Sequence, residues 1–211
     1  MRVQIRTDKQ FLLLMCFFYF LLFLGFFAFY LANPFDNKCT QGNCKNGYGV
    51  YVPHSGMKYE GEWKNGSRHG RGTLVYPNNY TYEGEWKNDR MHGQGIKTFS
   101  NGSRYEGEWK NSHQYGHGIF INSNNGHKYE GEWKNGRQHG QGTLITPRGY
   151  YVGKWDNLNG QGTIDYPDGT KYIGEWTALR KYGKGTWITP EGFKFKGEWE
   201  NDTLIQEHSQ P

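Results

Sequence analysis

Lys58-Tyr59-Glu60-Gly61-Glu62-Trp63-Lys64 alternates strictly, with Tyr, Gly and Trp on one side and Lys, Glu, Glu and Lys on the other. A period of two is that of a half-buried β-strand, whose successive side chains point to opposite faces. The string returns as Tyr82-Glu83-Gly84-Glu85-Trp86-Lys87-Asn88, at Tyr105 to Asn111 and at Tyr129 to Asn135. Looser copies follow as Tyr151-Val152-Gly153-Lys154-Trp155, Tyr172-Ile173-Gly174-Glu175-Trp176 and Phe195-Lys196-Gly197-Glu198-Trp199. These seven copies recur every 21 to 24 residues, the signature of a repeat architecture.

Behind each of the first six copies stands a second signature, from His69-Gly70-Arg71-Gly72 to Tyr182-Gly183-Lys184-Gly185, and a lone Asn46-Gly47-Tyr48-Gly49 precedes the array. In Gly70 to Tyr76 the alternation continues, so each unit is expected to be a β-hairpin turning at Asn65-Gly66-Ser67-Arg68, with units joined at Pro77-Asn78-Asn79 or Pro167-Asp168-Gly169. Regular glycines inside strands mark close approach by another group. We expect Gly61 and Gly70/Gly72 to clear room for Tyr and Trp rings lying against the backbone. The fold class expected is all-β: an elongated single-layer antiparallel sheet of successive hairpins, roughly 65–70 Å long at about 4.8 Å per strand.

At these residues the sequence resembles the MORN (membrane occupation and recognition nexus) family, whose Y-x-G-x-W-x-x-G-x-x-x-G-x-G pattern is matched most closely by Tyr59 to Gly72 and Tyr129 to Gly142. The resemblance covers about residues 46 to 200. Asp89, Ser112 and Asn157 depart from it near turn-glycine positions, and Lys154 stands where a Glu is usual. The resemblance implies a twisted sheet with a groove, and roles in tethering, scaffolding or dimerising at membranes, in some members with binding of acidic phospholipids. It implies no catalysis.

Ahead of the repeats, after a short basic segment over 1–10, residues 11–32 form an uncharged run of 22 residues from Phe11 to Ala32, rich in Phe and Leu. About 20 apolar residues cross a bilayer as a helix. The bulky Phe29-Tyr30-Leu31-Ala32 end lacks a small-x-small cleavage site, so an uncleaved signal anchor is expected. Arg2, Arg6 and Lys9 before the span favour a cytoplasmic N-terminus and extracytoplasmic or lumenal repeats in a single-pass membrane protein. Two further features agree: Cys39 and Cys44, in a linker over 33–45, permit a disulfide, and Asn65, Asn79, Asn101 and Asn201 begin glycosylation acceptor patterns. The array is assigned to 46–200 and a tail to 201–211.

Composition narrows the chemistry. Thirty-one glycines, 18% aromatic residues and a formal charge of +5, with acids scattered among bases, leave no nucleic-acid footprint. The pair Glu60/Glu62 has a spacing some glycosidases use, but its recurrence at Glu83/Glu85, Glu106/Glu108 and Glu130/Glu132 is that of a solvated face, so no enzyme is expected. His69, His92 and His139 share one repeat position about 10 Å apart, too far to share an ion, so no metal and no cofactor are expected. What remains is a scaffold for a protein partner or a second copy. Its candidate surface is the aromatic set Tyr59, Trp63, Tyr82, Trp86, Tyr105, Trp109, Tyr129, Trp133, Trp155, Tyr172, Trp176 and Trp199. Lys64, Arg68, Arg71, Lys87, Arg90, Lys110, Lys134 and Arg137 recur near one sheet edge as candidate contacts for acidic lipids, the alternative reading. Extracytoplasmic glycan stacking on exposed rings is a further one.

Overall fold

The structure, a computed structural model, describes residues 39–208. The basic segment, the apolar span over 11–32 and the first part of the linker lie outside the described residues. Among the described residues no helix is long and apolar enough to cross a membrane.

Sixteen strands follow one another in sequence order: β1 Cys39–Gly42, β2 Gly47–Tyr51, β3 Lys58–Lys64, β4 Ser67–Val75, β5 Thr81–Lys87, β6 Arg90–Thr98, β7 Arg104–Lys110 and β8 His113–Ile121. The second half comprises β9 Lys128–Lys134, β10 Arg137–Thr146, β11 Gly149–Asp156, β12 Asn159–Asp165, β13 Lys171–Thr177, β14 Arg180–Ile188, β15 Lys194–Glu200 and β16 Thr203–Glu207. Each pairs antiparallel with the next in one sheet. The expected single-layer array of hairpins is therefore observed. Its ends reach further than the sequence division: the linker contributes β1, paired with β2, and the tail contributes β16, which completes the seventh hairpin.

Register aligns one glycine from every strand between β2 and β15. Gly49, Gly61, Gly72, Gly84, Gly95, Gly107, Gly118, Gly131, Gly142, Gly153, Gly162, Gly174, Gly185 and Gly197 face one another in an unbroken line across the sheet. Over β3 to β10 and at β13 and β14 the reason is the tyrosine beside it. Tyr59 lies flat over Gly61 and Gly72 and donates its hydroxyl to the Glu62 carbonyl at 3.1 Å. A Cβ on Gly72 would stand 2.2 Å from that hydroxyl oxygen. Tyr82, Tyr105, Tyr129 and Tyr172 repeat the arrangement with the carbonyls of Glu85, Glu108, Glu132 and Glu175.

Tryptophans interleave with the tyrosines. Trp86 meets Tyr59 edge-on at 5.4 Å and Tyr82 at 5.0 Å, and the zigzag continues through Trp109, Tyr105, Trp133 and Tyr129 to Trp155. Six indole N–H groups, those of Trp63, Trp86, Trp109, Trp133, Trp155 and Trp199, reach back to a glycine-row carbonyl, Trp86 to Gly72 at 3.0 Å and Trp109 to Gly95 at 3.1 Å, whereas Trp176 Nε1 is buried without a partner. Aromatic edge-to-face pairs with satisfied polar tips thus substitute for a second layer of structure.

Most first hairpins of a unit carry a bulge before the glycine row, as between β3 and β4, β5 and β6, β7 and β8, β9 and β10, and β13 and β14. β11 and β12 pair without one. Their unit is two residues shorter between Trp155 and Gly162 than the first is between Trp63 and Gly72, and those two residues are the bulge. The shortening also explains Lys154. In the four bulged units from β3 to β10 the second motif glutamate turns onto the amide that the bulge exposes, as where Glu62 accepts from Arg71 N–H at 2.8 Å and Glu108 from His117 N–H at 2.9 Å. Without a bulge there is no such amide, and the glutamate is dispensable. Glu108→Ala is expected to lower stability by about 1–2 kcal/mol, the cost of an orphaned donor, while Lys154→Ala leaves the urea midpoint nearly unchanged; equal effects would contradict the capping role.

The turn departures also resolve. Asp89, Ser112 and Asn157 adopt φ of 65°, 67° and 58°, the left-handed conformation that glycine would supply. In return the Asp89 carboxylate accepts from Arg68 N–H at 3.0 Å and the Ser112 hydroxyl from Met91 N–H at 3.2 Å.

Candidate functional site

The aromatic residues proposed as an interaction surface are instead the core. Tyr59, Tyr82, Trp86, Tyr105, Trp109, Tyr129, Trp133, Trp155, Tyr172, Trp176 and Trp199 are all buried, and Trp63 is partly buried against them. A single-layer sheet has no other apolar face to cover, so its rings cover one another. Burial pushes the phenols of Tyr59, Tyr82, Tyr105, Tyr129 and Tyr172 well above the usual tyrosine range. Glycan stacking on these rings has no surface to use.

The opposite face carries the open feature. Glycine side positions point inward, so the outer face along the glycine row is bare backbone between two lines of side chains. Over β2 to β7 this forms a trough of about 410 Å³, lined by Tyr48, Glu60, Arg71, Thr73, Glu83 and Ile96 among others, with Gly61, Gly72, Gly84, Gly95 and Gly107 as floor. One wall is a register line that runs Glu60, Thr73, Glu83, Ile96, Glu106, Ile119, Glu130. It continues as Thr143, Val152, Thr163, Ile173 and Thr186. The carboxylates of the first half thus give way to exposed Val152 and Ile173 in the second. Glu60 is held below the usual carboxylate range by hydrogen bonds from Lys58 and then Tyr48.

The motif glutamates therefore divide. Glu62, Glu85, Glu108 and Glu132 cap backbone amides, whereas Glu60, Glu83, Glu106 and Glu130 face outward. The two members of each pair thus make different contacts. Among the described residues no three His, Cys, Asp or Glu side chains are placed to hold a metal ion.

The cationic set is also divided. Lys64, Lys87, Arg90, Lys110, Lys134 and Arg137 stand exposed at the turns within the hairpins, on one long edge. Arg68 leaves that row: its guanidinium lies 4.3 Å over the Trp86 ring and 3.1 Å from Asp89. Arg71 belongs to the trough, opposite Glu85. Cys39 and Cys44 form a disulfide with Cα atoms 5.6 Å apart. Asn65, Asn79, Asn101 and Asn201 are all exposed at turns.

Sequence alternation did not single out Tyr48, Thr73 or Ile96 as trough residues, because what unites them is register between strands. A signal existed in the outward positions flanking each glycine, which alternate Glu with Thr or Ile from strand to strand in the first half of the array.

Comparison with known proteins places this geometry. The MORN repeat family matches residues 59–79, 82–104, 105–127, 129–149 and 151–171, just over half of the chain. The hairpins continue beyond the matched residues through β13 to β16. Among solved structures, the TCP10c domain of Drosophila melanogaster Sas-4 is similar at 14% identity, over 73% of this chain and 93% of that one, with a TM-score of 0.40. No curated protein matches the chain. With five matched repeats built on one glycine row and one tyrosine–tryptophan zigzag, the chain belongs to the MORN repeat family.

Proposed function

We propose that this protein is a membrane-anchored, non-catalytic scaffold that presents the outer trough to a protein partner or to a second copy of itself. The observation that carries the reading is the register line that walls the trough over β2 to β7: it places a glutamate on every second strand from β3 to β9 and continues past the trough to exposed Val152 and Ile173. Such a surface fits a polypeptide with a basic and an apolar portion, since mixed apolar contact and charge complementarity are what protein interfaces combine. The aromatic residues, committed to the core, provide rigidity.

Anchoring rests on the apolar run from Phe11 to Ala32, and the extracytoplasmic placement of the repeats on the flanking charges. The disulfide and four exposed acceptor asparagines agree with that side of the membrane. In sealed vesicles with their cytoplasmic face outward, a C-terminal tag is expected to resist protease until detergent is added, and N-glycosidase to shift the band. Digestion without detergent, with no glycosidase shift, would reverse the orientation.

The trough is tested separately by placing a photo-crosslinking amino acid at Ile96 in the full-length chain and, for comparison, at the exposed Asn78 in the connection between β4 and β5, on the opposite edge. A discrete crosslinked species from Ile96 and none from Asn78 is the expected result, with a band at twice the chain mass marking a second copy. Absence of any species from Ile96 would remove the trough as the docking surface.

A further inference from the structure

We propose that the turn edge of β3 to β10 binds a linear polyanion, and that the polyanion is a sulfated polysaccharide. The edge carries Lys64, Lys87, Arg90, Lys110, Lys134 and Arg137, all exposed. In three hairpins the basic position faces another cation or an imidazole across the turn: Lys87 opposite Arg90, Lys110 opposite His113 and Lys134 opposite Arg137. The two cation pairs, Lys87 with Arg90 and Lys134 with Arg137, are like charges directly opposed and repel unless a counter-charge joins them.

No counter-charge is supplied from within. The ion pairs among the described residues engage Lys58, Arg68, Arg104, Lys128 and Lys171, and none engages a cation of this row. The carboxylates two residues before the row lysines, Glu62, Glu85, Glu108 and Glu132, are drawn onto backbone amides of the neighbouring strand. Asp89, at a turn on the same edge, is held by Arg68.

The row is also continuous. The turn of each hairpin donates a backbone hydrogen bond to the hairpin before it: Asp89 N–H to Arg68 O at 3.0 Å, Ser112 N–H to Met91 O at 2.9 Å and Gly136 N–H to Gln114 O at 3.0 Å. Seven strand steps of about 4.8 Å make a single file of charge roughly 34 Å long. It ends at β11, where Asp156 and Asn159 occupy the equivalent positions.

A single file fits a chain better than a plane. Neighbouring strands rotate by about 20–25°, so the file winds around the sheet; a flexible polyanion can follow it, whereas a flat bilayer meets only a few of its charges. The choice of a sulfated polysaccharide among polyanions rests on the extracytoplasmic placement proposed above. This site uses charge on an edge and is separate from the trough.

The test uses the full-length chain in detergent with heparin-type sulfated oligosaccharides of graded length. Oligosaccharides spanning about 34 Å or more are expected to bind, with log affinity falling linearly in log salt at a slope of roughly −4 to −6. Exchanging Lys87, Arg90, Lys134 and Arg137 for Gln together is expected to weaken binding about 30-fold or more. Exchanging the ion-paired Lys58, Arg104, Lys128 and Lys171 for Gln removes the same net charge and is expected to change binding less than about threefold. Thermal melts should match the parent in both variants. Equal losses in the two variants, or no binding by the parent, overturn the site. Tighter row-dependent binding to phosphatidylserine vesicles or to single-stranded nucleic acid of matched charge overturns the polysaccharide. Cytosolic digestion of the tag overturns the placement and the polysaccharide as source, while leaving a row-specific loss measurable on its own.

Discussion

Raising the pH from 10 to 11 is expected to unfold the repeat array. Six tyrosines, Tyr59, Tyr82, Tyr105, Tyr129, Tyr166 and Tyr172, have phenols pushed well above their ordinary value of 10.0, chiefly by burial. A group whose folded pKa is raised contributes stability that is complete below the unfolded pKa and is lost as pH rises toward the folded one. Above pH 10 the unfolded chain therefore gains ionisation that the folded chain is denied. Because the unfolded phenol is already half ionised at pH 10, the step to pH 11 is worth about 1 kcal/mol per tyrosine, or roughly 6 kcal/mol for six, against the 5–15 kcal/mol that typically hold a domain. Ionisation also removes the hydroxyl protons donated to the carbonyls of Glu62, Glu85, Glu108, Glu132 and Glu175.

Two lysines act in the opposite sense. Lys97 and Lys181 sit over aromatic rings, with the Lys181 ammonium 3.8 Å from the Trp187 centroid, and desolvation lowers both below the usual lysine range. Their folded pKa values are depressed, so they add stability as pH rises toward 10.5, but two groups do not offset six. Tyrosinate absorbance should rise together with loss of the β-sheet signal in circular dichroism. Titration of all tyrosines near pH 10 with the sheet intact would show that the rings are not sealed in the core.

Gly131→Ala is expected to cost about 3 kcal/mol, the upper end of overpacking. A Cβ there would lie 2.5 Å from the Gly142 Cα, 2.6 Å from the Gln141 carbonyl oxygen and 2.8 Å from the Tyr129 hydroxyl. Two of these are backbone atoms of the paired strand, and the third belongs to a ring wedged between Trp133 and Trp155. None can yield without opening the sheet. Gly136→Ala is the comparison. Gly136 has φ of 79° and only the Gln114 side chain at 3.5 Å, so it bears the left-handed backbone cost of about 1–2 kcal/mol and no clash. In an array stabilised by nearest neighbours, damage at β9 should also split chemical denaturation into two transitions, one for each side of the break. Equal costs at Gly131 and Gly136, with one transition retained, would show that the glycine row is not required by close packing.

Much of this was legible because the determining signals are local. The Tyr59 to Lys64 alternation, the step of 21 to 24 residues and the turn residues at Asn65-Gly66 and Pro167-Asp168-Gly169 are all contained within one unit. The candidate surfaces were less legible. Tyr59 and Trp63 have the same alternation whether they line a ligand surface or pack on Trp86 of the next hairpin, and only the 5.4 Å approach of Trp86 to Tyr59 distinguishes the cases. Lys154 is a local departure whose meaning appears only with the missing bulge between β11 and β12.

By itself, the sequence determined that this protein is a chain of antiparallel hairpins, because period two within a strand and glycine-rich turns between strands leave the backbone no competing arrangement. Tertiary structure alone decided which face is spent. Placing residues of successive repeats about 4.8 Å apart per strand turns isolated aromatic residues into a closed zigzag, isolated glycines into one bare line and isolated turn cations into a continuous edge. Those are relations between residues some 23 positions apart, and they exist only once hydrogen bonding between strands sets the register.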